Sequence, residues 1–210
     1  MAIMVALGVW QLHRLTWKLA IIAQIRTAQA APPIALPEHP TPFEKVQLIG
    51  TWVPAKAALY GDEVQDSPTG PIPGAELIMP LTTQGGVILV DLGWVPQQSP
   101  HALRLPATPV GYVRIAEHPG WFSAPDDPAH GLFYTLNPAP IAQSLGLRAA
   151  PYMLIALGSA PAPGSGLPIP AQDLPTPPNN HYQYALTWFS LAATLGFQFI
   201  FFARKRLLAP

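Results

Sequence analysis

The sequence predicts an α+β membrane protein, with two transmembrane helices flanking a β-rich extracytoplasmic domain that carries one short helix. Three observations predict it. From Tyr182 to Ala203 there is no Asp, Glu, Lys, Arg or His. At a rise of about 1.5 Å per residue, such a run crosses a hydrocarbon core of about 30 Å. Only 10% of the 210 residues are charged while 50% are hydrophobic, against about 25% charged in soluble domains. The 28 prolines cluster between Ala31 and Pro178, where they exclude helix interiors and central strands. The middle of the chain is therefore built from short strands and turns. Residues 1–30 are assigned to the first transmembrane helix and its extension. Residues 31–178 form the domain with its proline-rich linkers, and residues 179–210 form the second transmembrane helix and its basic end.

The first ten residues, Met1 to Trp10, are apolar and make a helix of about 15 Å, half a bilayer core. A cleaved signal is one reading, since Ala28-Gln-Ala30 resembles a cleavage site. Against it, no positive residue precedes the apolar run, and Arg14, Lys18 and Arg26 follow it. The other reading is the second half of a transmembrane helix that begins upstream of Met1, which predicts a functional chain longer than this one. Ala31 to Pro42 is an extended linker. Phe43 to Val53 alternates, with Val46, Leu48 and Trp52 on one face and Lys45, Gln47 and Thr51 on the other, which predicts a half-buried strand.

Gly61 to Gly74, rich in Gly and Pro, is predicted to be a long loop. Ala75–Leu81 and Gly86–Val95 read as strands joined at Gln84-Gly-Gly. The near-continuous apolar run Val87–Val95 places the second of them centrally in the sheet. Val110–Glu117 is a further alternating strand. Asn137 suits an N-cap, Pro138 the first helical position and Gly146 the helix end, which predicts a helix over Pro138–Leu145. Tyr152–Leu157 reads as the last strand, and Pro161–Pro178 returns the chain to the membrane. There Tyr182, Tyr184, Trp188 and Phe189 crowd the helix entry, and Arg204-Lys205-Arg206 marks a cytoplasmic exit.

Several function classes are excluded. The formal net charge is zero, so no basic surface points to nucleic acid. Cysteine is absent, which removes disulfides, Cys-ligated zinc and thiol catalysis. No Gly-x-Ser-x-Gly elbow, phosphate-binding glycine loop or His-Glu-x-x-His is present, and no enzymatic activity is expected. His118 and His130 flank Asp126-Asp127, but among prolines and glycines and without a spacing that focuses them. These two, with His39 and His101 beside prolines, are read as solvated loop histidines.

The two membrane edges are different. With both termini in the cytoplasm the helices are antiparallel, and the outer end of the first lies level with that of the second. Trp10, Arg14 and Lys18 follow i, i+4 spacing, and His181, Ala185 and Trp188 share a face, with Tyr184 beside them. Such a cluster can ligate a haem iron through His181, with Arg14 or Lys18 holding the propionates. Equally, His181 can be an interfacial polar residue and the tryptophans belt anchors.

Four segments resemble the Surfeit locus protein 1 family of cytochrome c oxidase assembly factors. Leu7-Gly-Val-Trp-Gln-Leu-His-Arg-Leu-Thr-Trp-Lys18 is similar to that family's Leu-Gly-x-Trp-Gln-x-x-Arg-x-x-Trp-Lys. Gly50-Thr-Trp52 is similar to its Gly-x-Phe/Trp, and Val90-Asp-Leu-Gly-Trp-Val-Pro96 to its Val-Asn-Arg-Gly-Trp-Val-Pro. Asn180-His-Tyr-Gln-Tyr-Ala-Leu-Thr-Trp-Phe189 is similar to its Asn-x-His-x-x-Tyr-x-x-Thr-Trp-Phe. The departures are a short first apolar segment, asparagine at both 179 and 180, and Leu92 where the family has arginine. The resemblance implies a multi-pass protein of the bacterial inner membrane with its central domain in the periplasm. It implies binding of haem a and help with its insertion into cytochrome c oxidase subunit I. His181 is then the iron ligand, and Trp10, Arg14, Lys18, Tyr184 and Trp188 complete the cofactor site. The implied partners are subunit I, haem a synthase and membrane lipid. A haem-independent scaffold or chaperone that grips a subunit I intermediate is the alternative.

Overall fold

The structure, a computed structural model, describes residues 1–67, 70–97, 103–159 and 166–207. It divides into a helical unit, Met1–Thr27 with Pro175–Pro210, and a sheet unit, Ala28–Leu174. The elements run α1 (Ala2–Ala30), β1 (Ile34–Ala35), β2 (Lys45–Gln47), β3 (Thr51–Trp52), β4 (Ala58–Ser67), β5 (Gly70–Thr83) and β6 (Gly86–Pro96). They continue with β7 (Val110–Ile115), β8 (Leu132–Phe133), α2 (Pro138–Ser144), β9 (Ala149–Ala156) and α3 (His181–Leu207).

Among the described residues of the sheet unit, nine strands join one sheet in the order β1-β2-β7-β9-β6-β5-β4-β8, with β3 paired to β5. The β6–β9 pair is parallel, while β5–β6 and β7–β9 are antiparallel. The sheet buries side chains on both faces. Leu77, Met79 and Leu81 of β5, Ile88, Val90 and Leu92 of β6, Val113 of β7 and Leu154 of β9 fill one core. The intervening residues Ile78, Leu89 and Met153 pack with Phe133, Leu136, Ile141 and Ala142 in a second core under α2. Burial on both faces is why β6 reads as an unbroken apolar run rather than an alternating one.

The helix at 138 forms as its caps dictate: Asn137 Oδ1 accepts the Ala139 N–H at 3.1 Å, and Gly146 follows the last turn with φ +66°. The returning chain then closes the sheet. Trp94 N–H donates to Ile169 O and Ile169 N–H to Trp94 O, each at 2.9 Å, and Gly158 N–H donates to Ala171 O. Gln29 ties this strap to the domain's start, donating through Nε2 to Asp173 Oδ1 and accepting the Leu174 N–H, both at 2.9 Å.

Two expectations are corrected. Residues 61–67 and 70–74 are strand rather than loop, because β4 and β5 pair antiparallel from Ala58↔Ile78 to Ser67↔Gly70; residues 68 and 69 of that expected loop lie outside the described residues. The prolines that disguise this segment, Pro71 and Pro73, alternate, so their missing N–H groups face one side. Pro73 O accepts the Gln97 N–H on that side, where the β6 pairing has just ended at Gly74↔Pro96. Prolines are tolerated where no ladder bond is needed. The single strand expected over 43–53 is two short ones, β2 against β7 and β3 against β5, because the chain changes partner between Gln47 and Thr51. Its alternation still holds: Val46 and Leu48 are buried, while Gln47 and Thr51 are exposed.

In the helical unit α1 and α3 run antiparallel. A Cβ on Gly8 would stand 2.7 Å from the Phe189 ring, and one on Gly196 3.4 Å from Met1 Cε. Met4, Gly8, Gln11, Leu15, Lys18, Ile22 and Ile25 of α1 are covered at steps of four and three, with Leu7 and Ile21 half-buried beside them, and His181, Ala185, Trp188 and Ala192 of α3 follow similar steps. That is the spacing of a helix–helix seam, with small residues letting backbones approach. Outside the seam α3 exposes Leu186, Leu195, Phe197, Phe199, Ile200 and Phe202. Among the described residues α3 is the one helix long and apolar enough to cross a membrane. The 29-residue α1 has the length, but Arg14, Lys18 and Arg26 dilute its apolar character.

Candidate functional site

His181 opens α3 and lies half-buried. Its Nδ1 is 2.7 Å from Gln11 Oε1. An amide oxygen only accepts, so the proton of this contact belongs to Nδ1. In the neutral ring Nε2 then keeps its lone pair, the tautomer required of a metal-ligating imidazole. Two residues upstream, Asn179 Oδ1 is buried with no hydrogen-bond partner among the described residues, an acceptor left over at the same helix end. One imidazole oriented through its second nitrogen is a donor that a haem iron could take.

The other expected site residues are placed as follows. Trp188 is half-buried on the α3 seam, whereas Tyr184 and Trp10 are 55% and 51% exposed. Arg14 stacks its guanidinium 4.5 Å from the Trp17 ring centroid, and Lys18 Nζ lies 5.9 Å from the same ring. Both cations are thus engaged along α1 with Trp17, a residue that the spacing argument left out. Gln11 was also left out. Its signal was its place three residues after Gly8 on the seam. Of the loop histidines, His39 and His118 are exposed, His130 contacts Asp127 at 2.7 Å on the surface, and His101 lies outside the described residues.

The sheet unit holds a second polar feature that the sequence reading missed. A cavity of about 420 Å³ opens on the α2 face, lined by Tyr60, Glu63, Glu76, Asp91, Trp94, Tyr112 and Arg114 and roofed by Ile169–Gln172. Asp91 is 4% exposed and accepts the Gly93 N–H at 3.0 Å. Burial pushes the Glu76 carboxyl up to about 9, with the Asp91 and Glu63 charges adding to the effect. Asp91 is raised as well, by burial first. The pair therefore shares a proton at neutral pH.

A carboxyl whose folded pKa lies above its unfolded value binds its proton more tightly when folded. Its contribution is fully present below the unfolded pKa and is lost as pH rises through the folded one. Stability should accordingly fall between about pH 4.5 and 9. Glu76→Gln removes that titration, and we expect it to stabilise the protein at pH 8 by about 1–2 kcal/mol, discounted for partial exposure. Thermal unfolding at pH 5 and pH 8 checks this. Parallel pH profiles for the two proteins would show that Glu76 does not titrate in this window.

A sheet domain joined to a helix long enough to cross a bilayer defines a sheet domain on a candidate membrane anchor. The chain belongs to the SURF1 family, whose pattern matches residues 1–193. It is 29% identical to a SURF1-like protein of Rickettsia conorii over 213 residues, covering 97% of this chain and 88% of that one. It is 28% identical to Surfeit locus protein 1 of Xenopus tropicalis, covering 90% of this chain and 68% of that one. With Surfeit locus protein 1 of Mus musculus the identity is 28%, covering 91% and 69%.

Proposed function

We propose that this protein is an assembly factor of cytochrome c oxidase that carries haem a on His181 and assists its insertion into subunit I. The family is generally linked to cytochrome c oxidase assembly. The observation that supports the haem reading is the Gln11 contact on His181 Nδ1, which leaves Nε2 as the free ring nitrogen. Arg14 and Lys18, one and two turns further along α1, supply cations suited to propionates. The haem is cargo, so the residues hold and orient it and alter none of its bonds. Subunit I is the recipient partner and haem a synthase the donor.

In this reading α1 and α3 both cross the bacterial inner membrane, and the sheet domain stands in the periplasm. The tryptophans and Tyr184 then lie in the headgroup layer. A reporter fused to the C-terminus should be active only when it folds in the cytoplasm, because Arg204-Lys205-Arg206 closes the apolar run. Activity of a periplasm-dependent reporter at that end would reverse the topology.

The function itself is tested by purifying the protein from cells that make haem a and recording its visible spectrum. A haem absorbance that copurifies in fixed ratio supports the carrier. A colourless protein that still copurifies with subunit I would make it a haem-independent scaffold.

A further inference from the structure

The 116–131 connection between β7 and β8 ends in a tip of unusual composition. Trp121 and Phe122 are each 101% exposed, as open as a side chain can be. They are the two central residues of a tight turn, since Ser123 N–H donates to Gly120 O at 3.2 Å and Gly120 N–H to Ser123 Oγ at 2.8 Å. The base of the loop is held firmly. Glu117 N–H donates to Leu136 O, Asp127 and Leu132 exchange both backbone bonds, and Asp126 Oδ1 accepts the Tyr134 N–H at 2.7 Å. Two large aromatic rings are thus presented side by side on a braced projection. From Pro119 to Pro125 the tip carries no charge.

We propose that Trp121 and Phe122 dip into the headgroup layer of the bilayer that anchors the chain, giving the sheet domain a second membrane contact. The proposal rests on the reading of α3 as a transmembrane anchor. Size decides between a lipid surface and a protein partner. Two aromatic side chains offer about 300–500 Å², whereas a stable protein interface needs about 800 Å² per partner. A bilayer asks for no such area from a tethered domain. The anchor already supplies proximity, so the rings meet the surface at high effective concentration. Tryptophan is also the residue type that settles at this depth. The absence of Lys and Arg from the tip points to a zwitterionic surface rather than an anionic one.

The chain contains no cysteine, so single-cysteine labelling of the full-length protein is clean. Phe122→Cys, Phe197→Cys on the exposed face of α3, and Gln84→Cys at the exposed β5–β6 turn each receive an environment-sensitive fluorophore. The proteins are reconstituted in phosphatidylcholine vesicles with or without nitroxide-bearing lipid. Strong quenching is expected at 197, quenching at least threefold above that at 84 is expected at 122, and Trp121→Ala should reduce the signal at 122. Quenching at 197 with 122 matching 84 would overturn the loop proposal and leave the anchor standing. No quenching at 197 would overturn the anchor reading and this one with it. Protection of 122 that appears in native membranes but not in phosphatidylcholine would assign the tip to a protein partner instead.

Discussion

Gly93→Ala should unfold or severely destabilise the sheet domain, by about 3–5 kcal/mol, while Gly86→Ala should cost about 1–2 kcal/mol. Both glycines have positive φ, +104° and +115°, so both pay the strain of holding an L side chain there. They differ in what surrounds them. A Cβ on Gly93 would lie 2.0 Å from Ile169 O, while one on Gly86 meets nothing within 4 Å. Ile169 O is backbone and is already engaged with the Trp94 N–H, so it cannot swing aside as a side-chain tip does. Relieving the clash breaks both Trp94–Ile169 bonds, worth about 1 kcal/mol each, and lifts the strap that roofs the polar cavity. Thermal unfolding of the two variants separates strain from crowding. Equal losses at the two positions would show that the strap adjusts freely and that only backbone conformation matters.

The same segment shows what was readable in advance. Val87–Val95 read as a central strand from its near-continuous apolar run, and Val90-Asp-Leu-Gly-Trp-Val-Pro96 drew notice only as a family-like motif. Nothing local to β6 says that Glu76, Glu63, Tyr112 and Arg114 gather opposite Asp91. That gathering depends on the register of β4, β5, β6 and β7 together, including the irregularities at Tyr60/Glu63 and Glu76/Ile78. Elements whose signals are local were legible. The helix at 138 carried its own caps, and β6 carried its own burial pattern. The β4–β5 hairpin was hidden because Pro71, Pro73 and Gly61 are turn signals that a hairpin projecting past its neighbour can absorb. The break after Gln47 was hidden because alternation survives a change of partner strand.

In the helical unit the seam face of α3 was legible from spacing, and His181, Ala185 and Trp188 do lie along it. On α1 the i, i+4 series of Trp10, Arg14 and Lys18 drifts round the helix, because steps of four overrun a 3.6-residue turn. The covered face follows alternating steps of three and four instead. This is why Gln11, and neither Trp10 nor Arg14, meets the imidazole. The series starts at exposed Trp10, about 100° round the helix from Gln11, and reaches the covered face only at Lys18.

His181→Ala should remove the haem absorbance of the purified protein and leave its membrane insertion unchanged. The imidazole is the one iron ligand in the proposed site. The helix keeps its apolar length, since the change is at the first residue of α3. Gln11→Ala separates this reading from a merely structural one. It leaves the ligand in place but frees the ring and its tautomer, and loss of such an orienting partner weakens binding by about 10–100-fold. Arg14→Ala should weaken retention less, because a propionate near water is partly served by solvent and by Lys18. His13→Ala, at an exposed position of α1 about 100° round from its neighbour Arg14, should change nothing. Haem content read from the visible spectrum, alongside membrane fractionation, measures all four. Full haem content in the His181→Ala protein would make the Gln11–His181 contact a helix-pairing bond, and the protein a scaffold that meets subunit I without haem.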